Sequence, residues 1–243
     1  MDSFGVSEGD VKILTLTNQE ERAILSGKVP DSKIGTKALS CVYVRITDSG
    51  GLTVDVDNVK WVTAEMYIAA LATAGIENAN VYVNAPKPVS GTAALAGIYK
   101  SYEDITGEII SEEMKDIAAD ELVLTAELGD VIGDADSVAL INELKKNLEK
   151  TKDMSDEELR GYIEETAKQL GFDLNADQVE EILSFIRRLA ATGIDVDKLS
   201  GQLDNLKGNL ENLSKVGDDV NGFFESIGKF FTNIFEWIGN LFK

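Results

Sequence analysis

Residues 39–84 read LSCVYVRITDSGGLTVDVDNVKWVTAEMYIAALATAGIENANVYVN, and this stretch decides the fold class. Leu39–Thr47 and Leu52–Val56 alternate β-branched with smaller or polar residues, the period of a strand with one face buried. Asp48-Ser49-Gly50-Gly51 lies between them, so the two runs are predicted to pair as a hairpin. Thr63 then stands where its hydroxyl can accept from a free N–H of a first helical turn. The helix it opens runs to about Ala74 and stops at Gly75. Asn80–Asn84 returns as a strand.

Upstream, Val11–Leu16 (VKILTL) reads as a further strand, and Thr17-Asn18-Gln19-Glu20 supplies a capping box for a short helix ending near Gly27. The predicted order is strand, helix, strand, strand, helix, strand. The class is therefore α+β, a small mixed sheet with ferredoxin-like βαββαβ order. The prolines are Pro30, Pro86 and Pro88, and the 155 residues that follow Pro88 contain none. That half reads as helix: Ser90 to about Asp104, Ser111 to near Gly129, Ser137–Lys150, Ser155 to Gly171 and Asn175 to Gly193, each opening on a capping residue. The expected organisation is an α+β domain over 1–133, a helical region over 134–194 and a long amphipathic helical tail over 195–243.

Composition removes many mechanisms. The 243 residues hold 43 acidic and 23 basic side chains, no histidine and one cysteine, for a net charge of −20. Without an imidazole, Ser-His and Cys-His nucleophiles and histidine-ligated zinc are excluded. The acidic excess is spread along the chain, which offers no basic stripe for phosphates, so nucleic acid is not an expected partner. No metal or cofactor is expected. Cys41, within Ala38-Leu39-Ser40-Cys41-Val42-Tyr43-Val44, is predicted to be a core residue. The residues after Met1 have neither the basic stretch nor the apolar run of a signal peptide.

Several blocks in order resemble one bacterial family: Thr17-Asn18-Gln19-Glu20-Glu21, Lys33-Ile34-Gly35-Thr36-Lys37-Ala38, Asn58-Val59-Lys60-Trp61-Val62-Thr63, Thr73-Ala74-Gly75-Ile76 and Pro88-Val89-Ser90-Gly91-Thr92-Ala93-Ala94-Leu95. Asp120-Glu121-Leu122-Val123-Leu124-Thr125 continues the match. The family is the secreted group catalogued as domain of unknown function 1002, and the likeness runs from Thr17 to about Lys150. The resemblance implies an export signal and a further strand and helix ahead of residue 1, and hence an extracellular or cell-envelope location. It carries no established activity and assigns no catalytic residue.

Three motifs could carry a ligand. Ser90, Gly91 and Thr92 follow a strand and open a helix, the arrangement that presents free N–H groups to an anion; packing of a glycine and a cap on the sheet is the plainer account. Asp173-Leu174-Asn175-Ala176-Asp177 opens like a calcium loop but has Gln178 and Ser184 where the glycine and terminal glutamate belong, and the acidic loop of Asp130, Asp134 and Asp136 around Gly133 is expected to be solvated. Paired carboxylates could run glycan chemistry, and Glu103, Asp104 and Glu108 lie close in sequence without a spacing that marks them.

The tail stands apart. Six of nine phenylalanines fall within residues 223–243, whose four charges sum to zero. A three-and-four apolar spacing runs from Leu203 and Leu206 through Phe224, Ile227, Phe231, Ile234, Ile238 and Leu241, and Trp237 widens its face. Such a helix could pack on its own body, attach to a membrane surface or envelope protein, or drive homo-oligomerisation. The expectation is a noncatalytic envelope-associated binding or scaffold protein. The alternatives are a carboxylate-based glycan-acting enzyme and a small-anion binder at Ser90–Thr92.

Overall fold

A computed structural model describes residues 2–25, 27–29 and 37–213. The helices are α1 (Asn18–Leu25), α2 (Ala64–Thr73), α3 (Thr92–Thr106), α4 (Glu112–Ile132), α5 (Asp134–Lys146), the single turn α6 (Leu148–Thr151), α7 (Asp156–Gln169), α8 (Ala176–Ala191) and α9 (Val196–Leu213). The strands are β1 (Cys41–Ile46), β2 (Leu52–Val59) and β3 (Ala79–Val89). The α+β class and the small mixed sheet hold, as do the helix starts at Thr63, Ser111, Ser155 and Asn175, whose side chains accept from the first-turn N–H groups of Met66, Met114, Glu158 and Gln178.

The strand order differs from expectation. The sheet runs β1-β3-β2, with β1 antiparallel and β2 parallel to β3. The predicted hairpin is thus split, because β3 lies between its two arms. Asn78 explains the geometry: its carbonyl accepts from the Thr47 N–H (3.2 Å) and its side-chain oxygen from the Gly51 N–H (2.9 Å), so the turn wraps over the start of β3. Ala79, Val81, Val83 and Ala85 are each about 1% exposed. A strand buried that deeply belongs at the sheet centre. β3 also extends past the predicted Asn84 to Val89. Pro86 and Pro88 fit there because β1 ends opposite Asn84, so one edge of β3 no longer needs donors.

Val11–Leu16 lies in neither helix nor strand and pairs with no strand among the described residues. Side chains clamp it to α3 instead. Lys100 Nζ donates to the Thr15 carbonyl (2.7 Å) and Lys12 Nζ to Asp104 (2.7 Å). The ferredoxin-like order therefore does not emerge, since its first strand is unpaired and its hairpin is opened.

Two cores share the helical layer. The first joins the sheet to α2 and α3, one side of α4, and Leu199, Leu203 and Leu206 of α9. The second gathers the other side of α4 with α5 to α8 around Tyr162, Ile163, Phe185 and Ile186. Leu203 and Leu206, the first two positions of the tail's apolar spacing, are thus ordinary core. Phe224, Ile227, Phe231, Ile234, Trp237, Ile238 and Leu241 lie outside the described residues.

Candidate functional site

Strand parity gives the sheet two unlike faces. Leu52, Val54, Val81, Val83, Val42 and Val44 turn toward the helices. The opposite parity is open: registers Cys41–Asn84–Asp57, Tyr43–Tyr82–Asp55 and Arg45–Asn80–Thr53 place one row above the next. Cys41 is therefore exposed rather than buried, since its neighbour Val42 takes the core side. Tyr43 and Tyr82 sit 5.9 Å apart between ring centres, and Phe4 stacks on Tyr43 at 6.1 Å. Asn84 donates to Asp57 (2.9 Å) and Thr53 to Asn80 (2.9 Å), while Arg45 and Asp55 make no ion pair among the described residues.

This face continues around the outer edge of β1, which is unpaired among the described residues, into a groove of about 550 Å³. Its walls are β1 on one side and Asp10–Leu16 on the other, and its floor is formed by Ala93, Ala94, Gly97 and Ser101 of α3. α3 packs close to β1 at Gly97, where a Cβ would stand 3.1 Å from a Val42 methyl, tighter than ordinary contact. Ile13 and Ile105, 57% and 53% exposed, both line the groove. Exposed large aliphatics gathered at one concavity mark an interaction surface more than scattered ones do.

The predicted Ser90–Gly91–Thr92 turn sits elsewhere. Thr92 is buried, and the Ser90 and Thr92 hydroxyls are 3.3 Å apart. Gly91, not Ser90, is the residue before the helix, at φ +103° with no side-chain cap. A Cβ there would meet Val59 at 2.5 Å and the Tyr67 hydroxyl at 2.6 Å, and that hydroxyl donates to the Gly91 carbonyl (2.5 Å). Close packing accounts for the glycine.

The acidic motifs have structural duties. Asn175 and Gln178 form the reciprocal cap of α8. Asp130 accepts from the Trp61 indole (3.0 Å). Glu103 holds Lys115 and the Ile110 N–H, and Glu108 accepts from the Tyr102 hydroxyl. Among the described residues, no group of three or more metal-binding side chains converges.

Sequence reasoning missed one buried polar cluster. Glu121 and Lys145 are both fully buried and 2.5 Å apart; the Thr73 hydroxyl donates to the second Glu121 oxygen (2.5 Å), and Lys145 also donates to the Ala69 carbonyl (3.0 Å). Burial pushes the Glu121 carboxyl up and the Lys145 ammonium down, and their mutual attraction opposes both shifts. The pair ties α4, α5 and α2 together inside packed core. A charged residue in an apolar helix face was the available signal, but helices carry many such residues.

A family model described as Protein of unknown function (DUF1002) matches residues 1–206. The Uncharacterized protein YpuA of Bacillus subtilis (strain 168) is 37% identical over 205 residues, which span 84% of this chain and 70% of that protein. No solved structure matches. By the extent of that match, the chain belongs to the DUF1002 family.

Proposed function

We propose that this chain is a noncatalytic binding or scaffold protein of the cell envelope, and that its binding surface is the β1-edge groove with the adjoining aromatic face. The observation that carries the reading is the groove itself: about 550 Å³, within the range of ligand sites, walled by a strand edge unpaired among the described residues and lined by the exposed Ile13 and Ile105. The carboxylate-enzyme alternative has less support. The acids lining the groove, Asp10 and Asp104, are both exposed, and Asp104 is held by Lys12. A carboxyl kept protonated as a general acid needs an apolar setting. A small anion at Ser90–Thr92 is disfavoured by the packing around Gly91.

Ser101→Trp, which fills the groove from α3, tests the reading. Envelope components retained by immobilised wild-type protein should be lost from this variant, and equal retention by both would contradict the groove. Attachment through the neutral aromatic tail is a separate part of the proposal, supported by its composition. No helix among the described residues is long and apolar enough to cross a membrane; the attachment we propose for the tail is interfacial or to an envelope protein, on its amphipathic spacing. Liposome flotation of the full chain against a form lacking residues 218–243 decides this: flotation should vanish with the deletion, and equal flotation of the two forms removes the tail.

A further inference from the structure

We infer that the groove takes up an extended strand donated by another polypeptide, which pairs with the free edge of β1. This rests on the groove being the binding surface and names what it binds. Alternate residues of an antiparallel strand turn their N–H and C=O groups to the neighbour, and the rest turn theirs away. For β1 the neighbour is β3, so the second set faces the groove. An edge of this kind templates pairing with any chain that can reach it. The other edge is guarded: β2 carries Asp55 and Asp57 and is irregular at Asn58, whose φ is +57°. β1 has only Arg45.

The opposite wall makes the same point independently. Val11–Leu16 has strand composition, yet lies in neither helix nor strand and forms no backbone ladder among the described residues. A segment of that kind facing an unpaired strand leaves room for one to be inserted between them. The inserted strand would turn one set of side chains onto Gly97, Ser101 and Ile105, which suits Val, Ile or Ala, and the other toward Tyr43 and Arg45.

Charge selects the partner further. Of the groove's cations, Lys12 and Lys100 are already held by Asp104 and Glu20, which leaves Arg45. Arg45 has no ion pair among the described residues, so the strand it fits carries a carboxylate on its open-face side. A second copy of this chain fits less well: its own β1 could reach this edge only by displacing Val11–Leu16, and the two bodies would repel.

The test uses the full chain and labelled eight-residue peptides that alternate Val or Ile with Thr or Asp, read by fluorescence anisotropy. Each peptide is matched by two forms N-methylated at alternate backbone amides, one for each register. One register of methylation should weaken binding by about tenfold or more, by removing two or three backbone bonds, and the other should not. Arg45→Glu should weaken the Asp peptide by about tenfold and favour its Lys counterpart. Equal binding of both methylated forms overturns strand pairing. No binding by any peptide, with Ser101→Trp still losing its envelope components, overturns the strand while leaving the groove; unchanged retention as well overturns both. Groove amides protected before peptide is added, whether by residues 214–243 or by a second copy at rising protein concentration, also overturn a donated strand.

Discussion

Replacing Lys145 with Met probes the most consequential buried interaction of the helical layer. Wild type holds Lys145 Nζ 2.5 Å from Glu121 Oε1 with both side chains essentially inaccessible. Met matches the lysine stem and removes the ammonium, which leaves a carboxylate in apolar core with one hydroxyl donor, Thr73. Breaking one partner of such a pair costs about 3–5 kcal/mol, and a urea slope of roughly 2–3 kcal/mol/M makes that a midpoint shift of about 1–2 M. Glu121→Leu with Lys145→Met removes both charges and leaves the Thr73 hydroxyl without its acceptor, worth about 1–3 kcal/mol. The double variant should therefore be more stable than Lys145→Met alone, with a coupling of at least about 2 kcal/mol. The acid dependence has a definite sign. Burial raises the Glu121 carboxyl in the folded state, so the folded protein binds that proton more tightly than the unfolded chain. Stability from this group is complete below the ordinary carboxylate range and is lost as pH rises through the folded value. The deficit of Lys145→Met relative to wild type should shrink as pH falls. A single variant within 1 kcal/mol of wild type, or a double equal to the sum of its parts, refutes the reasoning.

Other variants test the neighbouring assignments. Gly91→Ala forces a Cβ to within 2.5 Å of Val59 at a φ of +103°, and thermal unfolding should show a loss of about 2–4 kcal/mol, whereas no loss would mean the turn has slack. Tyr99 is fully buried with a hydroxyl that finds no hydrogen-bond partner in the described structure, so Tyr99→Phe should raise the midpoint, by about 1 kcal/mol; a drop would reveal a partner. The Lys100 ammonium and the Thr17 cap hold the Glu20 carboxyl down at about 2. A lowered acid contributes above its unfolded pKa and loses that contribution as pH falls through the folded one. Glu20→Gln should therefore loosen α1 at pH 7, seen as faster amide exchange over residues 18–25, and the difference from wild type should shrink as pH falls toward 2.

Helices were legible because their signals are local. Thr63, Ser111, Ser155 and Asn175 each cap where the sequence places them. Strand order was not, since turn residues say that a chain reverses but not what comes between the arms. A cue existed: β3 lacks charge over Ala79–Ala85, while β2 carries Asp55 and Asp57, the pattern of a central strand beside an edge. Parity likewise could have put Cys41 outside, opposite Val42. Val11–Leu16 has strand composition without a strand environment, and no property of those six residues reveals that the neighbouring edge is unpaired among the described residues. The groove was therefore invisible in sequence, because it arises from residues more than 80 positions apart, such as Ile13 and Ser101.

Hydrogen exchange of the full chain, with and without a bound alternating peptide, tests the central claim most directly. Exchange of the groove-facing amides of β1 and of Val11–Leu16 should slow together on binding, while amides of β2 stay as they were. Binding that leaves both segments exchanging as before, or that protects a different surface, contradicts the β1 edge as the binding site.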